Sequence, residues 1–188
     1  MRRSFLSGAA ALLLTSCAAP PLNLYTLNVP SSPAEPPPLG SKPTVIEIVR
    51  VAVPDELDTQ DIVVRNGDRL VRSRQGRWAS RLSLGITDRL TERLAAQRPD
   101  ALITDQPRAD PPSYRVLINI SRLDVTKAGT ATLDANWTIL PHDPSRPILR
   151  DRVGFSATGP VATDQEVVTQ VGSLLDRLAG AIDVSGLR

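Results

Sequence analysis

The chain has 188 residues, a formal net charge of +2, one histidine and one cysteine. Arg2 and Arg3 account for the positive excess, so the rest of the chain is formally neutral and a nucleic-acid partner is not expected. A single thiol excludes a disulfide within the chain. One histidine and one thiol also leave little for nucleophilic or transition-metal catalysis, so we do not expect an enzyme.

The first seventeen residues have the pattern of an export signal. Two arginines precede an apolar stretch of about ten residues, which is too short to span a bilayer. The stretch ends in Leu14-Thr15-Ser16-Cys17, which resembles a bacterial lipobox. We predict that residues 1–16 are a lipoprotein signal peptide and that Cys17 carries diacylglycerol and an N-acyl chain such as palmitate, with no other cofactor. An ordinary secretory signal with a chance cysteine is the alternative.

The residues after Cys17 suggest a membrane-sorting signal and a linker. Ala18, where aspartate would mark retention at the inner membrane, resembles an outer-membrane sorting signal. We therefore expect the protein on the inner leaflet of the outer membrane of a Gram-negative bacterium, facing the periplasm. Residues 17–43 are rich in proline and are interpreted as a semi-rigid linker that holds the domain away from the membrane. Within them, residues 24–29 have the composition of an edge strand.

Residues 44–188 are predicted to form a single periplasmic domain. Residues 44–53 read as a strand that is apolar on both faces and ends at Pro54. Residues 62–72 read as a hairpin with Asn66-Gly67 as a type I′ turn, which would place Arg65 opposite Asp68 and Asp61 opposite Arg72. A helix follows at residues 80–97, with one apolar face formed by Leu82, Ile86, Leu90 and Leu94. Residues 101–104 are predicted to form a short strand.

The second half of the chain predicts an antiparallel meander and a final helix. Its strands are expected at residues 114–126, 130–140 and 148–157, with a bulge near Ser121-Arg122. Thr163 and Glu166 fit a capping box that begins the last helix. The expected fold is α+β: a mostly antiparallel twisted sheet with two long amphipathic helices packed on one face.

Charged side chains supply the candidate contacts outside Cys17. Arginines crowd the hairpin, and the candidate contacts for phospholipid head groups or for an acidic partner surface are Arg65, Arg69, Arg72 and Arg74. A solvated hairpin edge that blocks aggregation through its charge is the alternative.

Other polar groups predict no metal or catalytic site. The acidic cluster of Asp55, Glu56, Asp58 and Asp61 lacks the glycine of a calcium loop and is interpreted as a turn with an ion pair between Asp61 and Arg72. His142 is interpreted as an exposed turn residue.

Several stretches together resemble a known family. They are a Tyr-x-Leu strand (Tyr25, Leu27), a valine-rich strand ending in Val53-Pro54, the stretch Leu57-Asp58-Thr59-Gln60-Asp61-Ile62-Val63-Val64-Arg65, then Arg77-Trp78-Ala79, and a strand pair closing on Trp137. This pattern, behind a lipobox, is similar to the ABC-type transport auxiliary lipoproteins, the PqiC (YmbA) family, over nearly the whole mature chain. The chain departs from the family pattern at Glu56, where an aromatic residue is expected, and at Thr59-Gln60-Asp61.

The resemblance implies a role and partners. It implies association with an MCE-domain protein and with the permease and ATPase of an ABC transporter, which move lipids between the two membranes. No catalytic residues are implied. The protein would dock the periplasm-spanning partner at the outer membrane, and a ring of copies would match a tubular partner of rotational symmetry. The alternative is a stand-alone envelope lipoprotein that binds lipid or glycan in a cleft between sheet and helices.

Overall fold

Eight strands and two helices are seen in the computed structural model of the protein, which describes residues 21–27 and 42–187. In chain order they are β1 (Asn23–Tyr25), β2 (Val45–Ile48), β3 (Asp61–Asn66), β4 (Arg69–Trp78), α1 (Leu82–Gln97), β5 (Leu102–Thr104), β6 (Tyr114–Val125), β7 (Thr130–Pro141), β8 (Leu149–Thr158) and α2 (Asp164–Ala181). Among these residues, neither helix combines the length and the apolar content needed to cross a membrane.

The strands form two sheets rather than one. A three-stranded sheet has the order β1-β4-β3, and a five-stranded sheet has the order β5-β2-β6-β7-β8. Each sheet mixes parallel and antiparallel pairs: β1 runs parallel to β4, and β2 runs parallel to both of its neighbours. The α+β class is confirmed, but the expected single sheet is corrected to two sheets, and both are mixed rather than purely antiparallel. Parallel pairs need long crossover connections, which local sequence patterns do not reveal.

The antiparallel meander of β6, β7 and β8 is confirmed. It carries the predicted bulge, because the pairing of β6 with β7 shifts between Ile120 and Arg122. The alternating apolar side chains of β6 and β7 are buried, whereas alternate residues of β8 are only partly covered. The predicted strand at 44–53 is shorter than expected: β2 ends at Ile48, and only an isolated bridge between Ala52 and Asn119 follows.

The hairpin of β3 and β4 exists, but its predicted register is wrong. The turn residues are Gly67 and Asp68, so that Asn66 pairs with Arg69 and Val64 pairs with Val71. Of these two turn residues, only Gly67 has a positive φ, +61°, which is the pattern of a type II′ turn rather than of the expected type I′ turn. The correction moves the partners of residues 63–65 by two positions, so these side chains keep their faces, whereas Asp61 pairs with Arg77 beyond a bulge.

Both helices bury the faces that their periodicity predicted. In α1 the four predicted apolar residues are at most 5% exposed, and in α2 the stripe from Val167 to Ile182 is buried as well. The capping box is confirmed: the Glu166 amide donates to the Thr163 hydroxyl at 3.3 Å, and the Thr163 amide donates to Glu166 at 2.9 Å. Helix α2 packs against β6, β7 and β8, and α1 packs against α2 and β5.

Candidate functional site at the N-terminal strand

The predicted lipid attachment residue, Cys17, lies outside the described residues, as do the signal peptide and most of the proline-rich run. The structure begins four residues later, at Pro21, and its first element is β1. The site is therefore built from the point where the chain that follows Cys17 joins the domain.

Strand β1 is held by backbone pairing with β4. Tyr25 lies opposite Trp78 in a parallel register, and the Ala79 amide donates to the Tyr25 carbonyl at 2.8 Å. Trp78 is 5% exposed and Leu27 is 4% exposed, so both side chains belong to the core. The predicted edge strand near residues 24–29 is thus found at Asn23–Tyr25, on the edge of the smaller sheet; residues 28 and 29 fall outside the described part of the chain.

A buried arginine fastens this segment to both helices. Arg89 of α1 donates through Nε and Nη2 to the Asp176 carboxylate of α2, at 3.0 and 2.8 Å, and through Nη1 to the Leu27 carbonyl. Its side chain is only 9% exposed. Arg93 adds a second contact to Asp176 at 2.8 Å. We call the group formed by Tyr25, Leu27, Trp78, Arg89 and Asp176 the tether junction.

The sequence pattern does not single out Arg89 and Asp176, because neither belongs to the apolar stripe of its helix. Two signals point to them. Arg89 follows the buried Ile86 by three residues, which places it beside the apolar stripe. Gly172 lies within α2, and a Cβ at that position would lie 3.2 Å from Arg89 Nη2. A glycine inside a helix often marks such a close approach.

Asp58 caps α1 from outside the helix. Arg81 at the N-cap position makes no side-chain capping hydrogen bond, and Asp58 instead accepts from the Ser83 amide at 3.1 Å. Arg50 also donates to Asp58 at 3.3 Å. Burial raises the pKa of Asp58, but hydrogen bonds from Ser83 and the charges of Arg50 and Arg81 outweigh it and hold the pKa below 3.8.

Asp58→Ala should destabilise the protein by about 1 kcal/mol, since a lost cap typically costs that much. The pKa of Asp58 is lower in the folded state, so its ionic contribution is complete at neutral pH and is lost as the pH falls through that value, below 3.8. Urea unfolding of the wild type and of Asp58→Ala at pH 7 measures the loss of the cap. The same comparison of the wild type with Asp58→Asn, between pH 7 and pH 2, measures the ionic contribution of Asp58. The difference in the free energy of unfolding between wild type and Asp58→Asn should shrink on acidification, and a difference that is independent of pH would contradict the ionic contribution.

The stretches that carry the family resemblance meet here. The Trp78 amide donates to the Gln60 carbonyl at 2.7 Å, and the Leu82 amide donates to the Thr59 carbonyl at 3.1 Å. Asp61 binds the Nε atoms of Arg77 and Arg72, at 3.0 and 2.9 Å. The contact of Asp61 with Arg72 forms as predicted, although the backbone partner of Asp61 is Arg77.

The structure does not bring the four candidate arginines to one point. Arg65 and Arg72 share one face of the hairpin. Arg72 pairs with Val63, which lies two residues before Arg65 on β3 and therefore on the same face. Arg69 lies on the other face, because it is three residues from Arg72 along β4. Arg65 is tied to Asp124 of β6 at 2.7 Å. The side chains of Arg69 and Arg74 are exposed and form no hydrogen bond or ion pair within residues 21–27 and 42–187.

The acidic cluster is likewise dispersed. Asp55 and Glu56 are exposed, whereas Asp58 and Asp61 bind different arginines. In the described part of the chain, no three carboxylate, imidazole or thiol groups converge as metal ligands would. His142 is an exposed residue that follows β7.

Two surface grooves border the tether junction. One, of about 220 Å³, lies between Tyr25, Trp78 and Gly85. The other, of about 600 Å³, lies between Leu24, Arg89 and Thr169, on the α2 side of β1. Both grooves are walled by the N-terminal segment, so their shape depends on β1 staying in place.

The fold and the junction define an α+β domain into which residues Asn23–Tyr25 are built as a strand. The chain belongs to the family of ABC-type transport auxiliary lipoprotein components, whose model matches residues 25–183. Membership supports an auxiliary role in transport rather than a catalytic one. The matched range begins at Tyr25, so it includes the tether junction.

Two solved structures share the fold of this chain. The crystal structure of an uncharacterized protein is 16% identical with a TM-score of 0.68, and the alignment covers 86% of this chain and 96% of that one. The crystal structure of a Xanthomonas campestris protein of the DUF330 family is also 16% identical with a TM-score of 0.61, covering 85% and 91% of the two chains. No curated protein sequence matches this chain significantly.

Proposed function

We propose that the mature protein is a lipid-anchored, non-catalytic auxiliary component of an MCE- and ABC-type system that moves lipids between the two membranes. Cys17 carries the acyl chains, and the domain faces the periplasm from the inner leaflet of the outer membrane. There it docks the periplasm-spanning MCE partner, in a ring of copies if the partner is a symmetric tube. Its work is mechanical: it holds one end of the conduit at the membrane.

The match to the transport auxiliary lipoprotein family over residues 25–183 is the observation that carries this proposal. The lipobox at residues 14–17 is consistent with it, since lipoprotein anchoring needs the cysteine at the end of a short apolar segment. Three acyl chains would make release into water negligible, because each buried methylene contributes about 0.8 kcal/mol.

Recovery of the lipidated protein from envelopes solubilised in a mild detergent tests the role. We expect an MCE-domain protein and an ABC permease to be recovered with it, as identified by mass spectrometry. The matched control is the Cys17→Ala protein, exported behind an ordinary secretory signal and added to the same extract. Recovery of neither partner with verified lipidation would contradict the transport role and favour a stand-alone envelope lipoprotein that binds lipid or glycan.

A further inference from the structure

The direction of β1 shows from which side the lipid-bearing segment reaches the domain. Asn23 pairs with Gly76 and Tyr25 pairs with Trp78, so β1 runs parallel to β4. The residues that precede β1 therefore come from the side on which β4 begins, which is the side of the Gly67-Asp68 turn. The tip of the β3–β4 hairpin and the lipid-bearing segment point the same way.

The segment between the lipid and the domain is short. Cys17 precedes Asn23 by six residues, which can span at most about 22 Å when fully extended. The proline-rich run beyond residue 27 joins β1 to β2, two strands of the same domain, and so does not add to this distance. With the lipid at Cys17, the domain is therefore held close to the membrane, and the proline-rich run beyond residue 27 does not lengthen the tether.

The hairpin extends about as far as the tether can reach. Arg69 precedes Gly76 by seven residues, or up to about 23 Å of strand at 3.3 Å per residue, less the shortening at the bulge of residues 73–76. The hairpin tip lies beside the turn between β6 and β7, where the Lys127 amide donates to the Arg65 carbonyl at 2.8 Å. Two turns thus form the end of the domain that faces the anchor.

The chemistry of this end suits phosphate head groups. Arg69 and Arg74 are exposed, and the Arg72 side chain is 72% exposed even though it contacts Asp61. Lys127 is exposed in the adjoining turn, and Asp68 is the exposed carboxylate at the tip. Guanidinium groups bind phosphate oxygens in a bidentate manner, and cationic side chains near an anionic leaflet each contribute about 1 kcal/mol.

Exposed apolar side chains lie on the hairpin and on the segment that leads into β1. Val71, beside Arg72, is 48% exposed. Leu22, just before β1, and Leu24, opposite Arg77 at the end of β4 away from the tip, are 55% and 64% exposed. Amphipathic surfaces of this kind, basic and apolar together, are typical of segments that lie at a membrane interface.

We propose that the tip of the β3–β4 hairpin is the membrane-facing end of the domain, where Arg69, Arg72 and Arg74 bind phospholipid head groups of the leaflet that holds the anchor. A hairpin that meets the surface end-on presents both faces, so arginines on opposite faces act together. The proposal rests on the proposed lipid attachment at Cys17. It leaves the opposite end of the domain, where β6 begins at Tyr114, facing away from the membrane.

Fluorescence quenching in vesicles of phosphatidylethanolamine and phosphatidylglycerol tests this orientation with the lipidated full chain. Acylation occupies Cys17, so one introduced cysteine is the single free thiol. Asp68→Cys labels the hairpin tip, and His142→Cys labels the other end, across the twelve residues of β6, or about 36 Å. With nitroxide on the lipid head groups, the label at position 68 should lose at least half of its fluorescence, and the label at position 142 less than a tenth.

A charge-reversal pair tests the arginines themselves. Arg69→Glu with Arg74→Glu, in the Asp68→Cys background, should reduce the quenching at position 68 by about half. The matched control, Arg108→Glu with Arg150→Glu, makes the same change of charge at exposed positions and should leave the quenching unchanged. Equal quenching at positions 68 and 142 would overturn the inference. An equal reduction of the quenching at position 68 by the charge-reversal pair and by its control pair would overturn it as well.

Flotation of the same samples separates this inference from the proposed function. Protein that floats with the vesicles but is quenched equally at both positions keeps its anchor and refutes the orientation alone. Protein with verified processing that does not float has no lipid anchor, which would overturn the attachment at Cys17 and the membrane-facing surface with it.

Discussion

Asp176→Ala should destabilise the domain by about 2–4 kcal/mol and free its N-terminal strand. The substitution leaves the Arg89 guanidinium, 9% exposed, without the carboxylate that accepts two of its hydrogen bonds. Removing one partner of a buried ion pair usually costs about 3–5 kcal/mol, and the 39% exposure of Asp176 reduces that figure here. The released Arg89 also loses the geometry in which it donates to the Leu27 carbonyl.

Urea unfolding gives the loss of stability, and limited proteolysis reports the N-terminal segment. Arg93→Ala is the matched control, because Arg93 contacts the same carboxylate but is 42% exposed and should contribute less than about 1 kcal/mol. Arg89→Met combined with Asp176→Ala removes both charges and should regain much of the stability while the segment stays sensitive to protease. A loss of stability for Asp176→Ala no larger than that for Arg93→Ala would refute the role of the ion pair between Arg89 and Asp176.

Cys17→Ala should abolish function while leaving the domain as stable as before. Without its thiol the chain has no acceptor for diacylglycerol, and the protein moves from the membrane fraction to the soluble periplasm. The free energy of unfolding should stay within about 0.5 kcal/mol, because residues 21–27 enter the domain whether or not the lipid is attached. Mass spectrometry of the mature chain, membrane fractionation and a lipid-transport assay measure the three effects.

The comparison needs two precautions. The Cys17→Ala chain should carry an ordinary secretory signal, so that failure of export is not mistaken for failure of anchoring. Ser16→Ala is the matched control, since it keeps a small residue before the cysteine and should be acylated and active. Full transport activity of the soluble Cys17→Ala protein would refute the anchoring role.

Elements whose stability is local were predictable from the sequence. The spacing of Leu82, Ile86, Leu90 and Leu94 predicts the buried face of α1, because a helix places residues four apart on one side. The capping box of α2 is predictable for the same reason: Thr163 and Glu166 satisfy each other's backbone amides within one turn. The meander and its bulge followed from a change in the phase of alternation near Ser121.

The register of the β3–β4 hairpin could not be predicted from the local sequence. Asn66-Gly67 signals a turn, but the same glycine also suits the first central position of a type II′ turn, so the dipeptide alone leaves two registers close in energy. Contacts outside the hairpin accompany the register observed: Arg65 binds Asp124, and its carbonyl accepts from Lys127. No pattern within residues 62–72 contains those partners.

The sequence by itself determined the order of strands and helices and the buried face of each helix. All of these depend on residues that are neighbours in the chain. Only the tertiary structure decided that β2 lies between β5 and β6, that Arg89 reaches both Leu27 and Asp176, and that β1 pairs with β4. Those contacts join segments far apart in sequence, and their stability comes from desolvation and hydrogen bonds that exist only once the segments pack together.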